Sequence, residues 1–342
     1  MKKQLIAAAV AASMSAVAMA DISITGDAKF EYDNTDTAGT TTNTTATEYH
    51  LNVAGKSGDT SVVMKFELDT DGTGSMDLED NYIKTKVGDI SVTAGNMASG
   101  TGALLGEIDN GGRERKVTLG YSMGGIDAYV GNTGGASSSS DGDLAIDRNM
   151  YAGVKFNVAG NAIELKKNSA TKDSFGVKGS LSGVNYRYEA SDVDGATGGD
   201  SSYLAVDTSV GGLTVGYAVL DTDRASLLTE NDSSEFAQSI AAYQTSSAKT
   251  YYNGTTTQTA TGQKQFKIGT TIDGTSVMLK AGTIEKGLSA TKDLDYTQIQ
   301  AKRKLSSGAT MIVTYNERDR YADSGSTLGS VDNLEVELNV AF

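Results

Sequence analysis

From residue 21 to the C-terminus, apolar side chains recur at every second position in short runs. Tyr49, Leu51 and Val53 form one such run, and Val62, Met64, Phe66 and Leu68 another. Met150 to Val158, Val184 to Tyr188, Leu213 to Val219 and Phe266 to Ile272 repeat the pattern. A period of two is the signature of a β-strand with one greasy face and one wet face. Tight turns separate many of these runs, at Gly58-Asp59, Gly88-Asp89, Met123-Gly124-Gly125, Ala159-Gly160-Asn161, Ser182-Gly183, Gly211-Gly212, Asp273-Gly274 and Ser306-Ser307-Gly308. Glycine-bearing turns between alternating runs predict β-hairpins. Eight hairpins plus unpaired strands at Ile22 to Tyr32 and Leu334 to Phe342 predict 18 strands. If one hairpin is a folded loop, the number is 16.

The last nine residues alternate from Leu334 to the terminal Phe342. An apolar strand at a chain end is an edge liability unless something pairs with it. Closing the sheet on itself removes the edge, so the expected fold is all-β, a transmembrane antiparallel β-barrel of 16 or 18 strands. The short turns fall on one end. Longer polar stretches fall on the other, near residues 34–46, 69–77, 98–112, 132–147, 191–201, 222–262 and 319–332. Within the longest, apolar spacing over 234–245 allows a short helix. The apolar parity is expected to meet lipid. The opposite parity carries Ser23, Thr25, Asp27, Lys29 and Glu31, then Lys65 and Glu67, Asn185, Arg187 and Glu189, and Glu335 and Glu337. A barrel this wide leaves an aqueous lumen for such residues. Tyrosines near strand ends (Tyr32, Tyr49, Tyr121, Tyr151, Tyr188, Tyr203, Tyr315) suit interfacial aromatic girdles. Tyr129, Tyr151 and Tyr203, however, carry inward parity.

The N-terminus adds an export signal. Lys2 and Lys3 precede a short Ala-rich apolar run, and Ala18-Met19-Ala20 has the A-x-A form of a cleavage site. Residues 1–20 are thus expected to be a signal peptide cleaved after Ala20, and 21–342 a single barrel domain. The chain contains no Cys and no Pro. The first excludes a disulfide framework, and the second suits a chain of paired strands. Net charge is −14, and −16 once Lys2 and Lys3 are removed. That excess argues against nucleic-acid partners and favours cations.

With the opening strand, the hairpin repeat and the terminal Phe342 in view, the mature chain resembles the general porins, the trimeric diffusion channels of Gram-negative outer membranes. The resemblance implies a water-filled channel for ions and small hydrophilic solutes, no cofactor, a homotrimer, and a lipid and lipopolysaccharide surround. It also implies that Phe342 is the signal read by the barrel assembly machinery. In that family the loop after the fifth strand folds inward. Here the fifth strand is Ile90 to Asn96, and residues 98–112 end in Glu107-Ile108-Asp109-Asn110-Gly111-Gly112. The resemblance therefore nominates Glu107 and Asp109 as pore-constriction carboxylates. Inward parity nominates Lys29, Lys65, Lys155 and Arg187, with Lys116 beside them, as the opposing cations. The lumen cations are scattered and mostly Lys, which points to weak cation preference rather than anion selectivity.

Other chemistries find little support. His50 is the only histidine, without a G-x-S-x-G partner motif, so no catalytic triad is expected. Without Cys or a second His, no zinc site is expected. The acidic run Asp69 to Glu79 places Gly72 fourth rather than sixth, which breaks the calcium-loop pattern. Loose divalent binding by acidic loops stays open. Two further functional readings stay open too: a substrate-specific outer-membrane channel, and an extracellular structural or adhesive β-protein.

Overall fold

A computed structural model describes residues 21–37, 39–69, 76–98, 104–105, 113–134, 150–168, 172–194, 199–223, 260–286, 293–321 and 327–342. The expected signal peptide, the 234–245 helix and the residues Glu107 and Asp109 lie outside these. The described residues form eighteen antiparallel strands. They are β1 (Asp21–Thr37), β2 (Thr40–Ser57), β3 (Thr60–Asp69), β4 (Met76–Val87), β5 (Ile90–Ala98) and β6 (Arg113–Met123). There follow β7 (Ile126–Gly134), β8 (Met150–Val158), β9 (Asn161–Asn168), β10 (Lys172–Leu181), β11 (Val184–Val193) and β12 (Gly199–Val210). The last six are β13 (Leu213–Thr222), β14 (Ala260–Ile272), β15 (Thr275–Lys286), β16 (Leu294–Lys304), β17 (Thr310–Tyr321) and β18 (Thr327–Ala341). Each strand pairs with the next, and β18 pairs with β1 in register Phe30↔Leu338. The sheet is a closed barrel with 18 strands, which settles the 16-or-18 alternative. All eight expected hairpin turns fall between paired strands.

Closure is sealed at the last residue. Phe342 N donates to the Gly26 carbonyl at 2.8 Å, and Gly26 N donates to the Phe342 carbonyl at 2.9 Å. The Phe342 ring lies over Gly26. A Cβ there would stand 2.7 Å from the ring and 2.4 Å from the His50 carbonyl oxygen. Only glycine admits this approach, so the seam residue on β1 is as constrained as the terminal aromatic it receives.

The outward parity is apolar around the barrel. Ile24, Phe30, Leu51, Ile83, Val130, Leu165, Phe266, Ile299 and Leu338 all point out and are exposed. Water would not tolerate so continuous an apolar belt, whereas hydrocarbon does. With strands about 4.8 Å apart and tilted by about 40°, eighteen of them enclose a backbone cylinder roughly 35 Å across. Such a width leaves side chains from opposite walls unable to fill the middle.

Two expectations about loops and rings need correction. Residues 34–46 are not a loop. They continue β1 and β2 to the pair Thr37↔Thr40, a polar hairpin longer than the 9–11 residues needed to cross a bilayer. Beyond the lipid belt both faces are wet, so the alternation disappears while the backbone pairing persists. The loops expected at 191–201 and 319–332 are trimmed for the same reason, by β11, β12, β17 and β18. Tyr151 and Tyr203 also do not join a girdle. They face inward, as their parity indicates.

Candidate functional site

The lumen wall is the inward parity of the strands, and it divides into two chemically distinct walls. Strand neighbours run β1, β2 and onward around the ring, so β1 and β10 lie on opposite sides.

The first wall is built by β7 to β12. Tyr129 pairs with Gly153 and Tyr151 with Gly131 across β7 and β8. A Cβ at Gly153 would come within 2.2 Å of the Tyr129 hydroxyl, and one at Gly131 within 2.3 Å of the Tyr151 ring. The two glycines thus let both rings lie along the wall, with centroids 6.1 Å apart. Lys155 Nζ stands 5.5 Å from the Tyr129 centroid, and Lys166 Nζ 5.5 Å from that of Tyr151. Tyr129 donates to Glu164 Oε1 at 2.6 Å, and Lys155 Nζ lies 3.5 Å from the same oxygen. The Glu164 side chain is almost wholly buried. A carboxylate taken from water needs such partners, and the tyrosine and lysine supply them. Arg187 repeats the arrangement one step on. It forms an ion pair with the buried Glu189 and lies 5.7 Å from the Tyr203 centroid. Below it a recess of about 430 Å³ is lined by Lys178, Asn185, Arg187, Tyr203 and Asp207 among others. Cations above aromatic faces, with hydroxyl and amide donors between them, give this wall positive charge, flat apolar contact and hydrogen-bond donors side by side.

The second wall is built by β18 and β1 to β3, and it is acidic. Inward register rows place Lys29↔Glu48, Asp27↔His50 and His50↔Glu67 side by side. On the other side of β1 the rows are Glu31↔Glu337 and Asp33↔Glu335. Lys29 Nζ reaches Glu48 Oε2 at 2.5 Å and Glu31 at 3.4 Å. Lys65 Nζ lies 3.2 Å from Asp80 of β4. Carboxylates outnumber cations on this wall, so the two walls set a field across the lumen.

Lys29, Lys65, Lys155 and Arg187 therefore do not converge, and Lys116 is buried in β6. Lys29 and Lys65 belong to the acidic wall, Lys155 and Arg187 to the basic-aromatic one, and each holds a carboxylate. Glu107 and Asp109 lie outside the described residues, but their segment leaves one mark. Leu104 and Leu105 are buried, and a Cβ at Gly176 of β10 would come within 2.7 Å of the Leu104 carbonyl oxygen and 3.0 Å of the Leu105 side chain. Gly176 lies on the inward parity of β10, between the outward Phe175 and Val177, and four strands separate β5 from β10. Leu104 and Leu105 thus stand inside the lumen, against a part of the wall distant from β5. Sequence reading did not single out Glu164, Lys166 or Lys178. Their inward parity was legible, but their partners were not.

The chain matches no protein-family model and no curated protein sequence. Its fold is that of the OprD and Occ porin structures. OccK11 (OpdR) of Pseudomonas aeruginosa superposes with a TM-score of 0.63 at 12% identity, covering 94% of this chain and 96% of that one. OccK10 (OpdN) of the same organism gives 0.64 at 12% identity, over 94% and 99%. OccK2 (OpdF), solved in complex with glucuronate, gives 0.62 at 11% identity, over 94% and 98%. At such identities the likeness is one of fold.

Proposed function

We propose that this protein is a homotrimeric channel of the Gram-negative outer membrane, exported with a cleaved signal peptide, that favours certain small hydrophilic solutes. The closed barrel with an apolar belt and a charged lumen supports a pore. The observation that carries selectivity is the basic-aromatic wall, where Lys155, Lys166, Lys178 and Arg187 line up with Tyr129, Tyr151 and Tyr203 on neighbouring strands. This wall favours a substrate-specific channel over the unselective general porin that the sequence pattern suggested. Solutes with a carboxylate and several hydroxyls, the class to which glucuronate belongs, match it best. Simple ions feel mainly the acidic wall and the overall negative charge, so the small-ion current is weakly cation-preferring. Glu107 and Asp109 act as constriction carboxylates, a role favoured by the inward position of Leu104 and Leu105.

Planar-bilayer recording of the purified protein under a salt gradient tests the pore. Current steps in threes and a reversal potential towards cations are expected. Glu107→Gln with Asp109→Asn lowers that preference, and no change removes the constriction role. Vesicle swelling with glucuronate against glucose tests the preference. Equal rates return the protein to the unselective reading, and insertion without current rejects the channel altogether.

A further inference from the structure

We propose that His50, Glu48 and Glu67 form a binding site for a divalent transition-metal ion on the lumen wall, with Asp27 as the residue that positions the imidazole. The site is a matter of register. β2 places His50 between Asp27 of β1 and Glu67 of β3 in one row, with Glu48 in the next inward row. The imidazole nitrogen of His50 and one oxygen each from Glu48 and Glu67 lie within 4.8 Å of one another.

The hydrogen bonding itself asks for a cation. His50 Nδ1 is 3.1 Å from Asp27 Oδ2, and His50 Nε2 is 2.6 Å from Glu48 Oε1. A neutral imidazole has one N–H and one lone pair. If Nδ1 donates to Asp27, the lone pair of Nε2 confronts a carboxylate oxygen, which is repulsive unless a positive charge sits between them. A second ring proton satisfies that pair, and so does a metal ion. Lys29 holds the other oxygen of Glu48, Oε2, so Oε1 is the oxygen that Glu48 turns to the imidazole and to an ion beside it. The remaining donor, Glu67, faces His50 directly across the ladder and gives an ion a third ligand that a proton does not use.

The donor set is that of an open metal site, with one imidazole, two carboxylates and lumen water for the remaining position. Ligand bonds of about 2.1 Å place tetrahedral donors about 3.4 Å apart, a separation that small rotations of the two long glutamate side chains supply. Asp27 on Nδ1 is the carboxylate that commonly orients a ligating histidine and fixes its tautomer. Imidazole favours zinc, nickel or copper over magnesium and calcium. Glu31, Asp33, Glu335 and Glu337 on the adjoining strands deepen the negative field around a dication.

The test is calorimetric titration of the purified protein in detergent with zinc chloride, then nickel chloride, with and without excess magnesium. One ion per chain, insensitive to magnesium, is expected. His50→Gln weakens zinc binding at least tenfold, and Asp27→Asn, which keeps all three ligands, weakens it by about tenfold as for other orienting carboxylates. Since His50 is the only histidine, zinc must also shift the single set of imidazole signals in the proton NMR spectrum. Far-UV circular dichroism checks that both variants retain the barrel. Zinc binding that survives His50→Gln, or that equal magnesium displaces, reduces the site to a diffuse acidic surface and overturns the proposal. Unchanged affinity in Asp27→Asn overturns the role of Asp27. The titration needs no current, so its failure is separable from failure of the channel reading.

Discussion

The wall of β7 to β12 and the wall of β18 to β3 carry the same outer face and opposite inner ones. Val154, Leu165 and Tyr188 on the first, and Phe30, Leu51 and Leu338 on the second, serve one solvent and are interchangeable in kind. Inside, the first wall seats its cations over tyrosines and buries the acids that hold them. The second crowds carboxylates around a single histidine and a few lysines. The difference teaches that the lipid face constrains a strand only to alternate, and that the chemistry of the lumen is left to the other parity. It also shows two ways of keeping charge in a lumen. On one side Glu164 and Glu189 are desolvated and depend on their partners, whereas on the other the acids stay wet and share a few cations.

The largest effect should come from breaking what the walls have in common. Leu338→Arg or Val154→Arg places a cation in the apolar belt and should destabilise the barrel by about 2–4 kcal/mol. Glu337→Arg, one residue away but inward, should cost under about 1 kcal/mol. Urea unfolding in lipid micelles reads both, and equal losses would mean that the parity assignment fails. Next in size, Lys166→Glu with Lys178→Glu gives the basic wall the sign of its opposite while leaving Arg187 on Glu189. Uptake of sugar acids into vesicles should fall by about tenfold, the effect of losing some 1.4 kcal/mol of binding, while uptake of neutral sugars holds. Glu335→Gln with Glu337→Gln sharpens the contrast from the acidic side. The reversal potential under a salt gradient should move towards zero, with sugar-acid flux unchanged or raised. Smallest is Tyr129→Phe, which removes one hydrogen bond to Glu164 and leaves Lys155 in place. A loss of about 1–2 kcal/mol in unfolding is expected, since Lys155 still holds the buried carboxylate, and a larger loss would show that the tyrosine alone keeps Glu164 buried.

Much of this architecture was legible in the chain. The turn at Gly58-Asp59 and the one at Asp273-Gly274 announced themselves because glycine and aspartate at such positions have few other uses. The alternation of Leu334 to Phe342 announced a strand needing a partner at its edge. Legibility failed where both faces of a strand are wet. The Thr-rich stretch from Asp33 to Thr45 pairs as strand without any alternation to betray it. The neighbours of the site residues were not legible either. Inward parity picks out Lys155 and Arg187, but only the register shows that they hold Glu164 and Glu189. His50 stands alone in the sequence, and only the register sets Asp27 and Glu67 across the sheet from it.

The amino-acid sequence by itself determined what is local. Strand identity, inward or outward parity, the hairpin turns and the need for closure all follow from a period of two and from turn chemistry between neighbours. Tertiary structure alone decided which inward residues meet. Such meetings depend on the register between strands, as with Asp27, His50 and Glu67. They depend on the ring order that sets β1 against β10. They depend also on Leu104 and Leu105 standing against Gly176 of β10, four strands away from β5. None of these separations is periodic in the chain, so no local pattern encodes them.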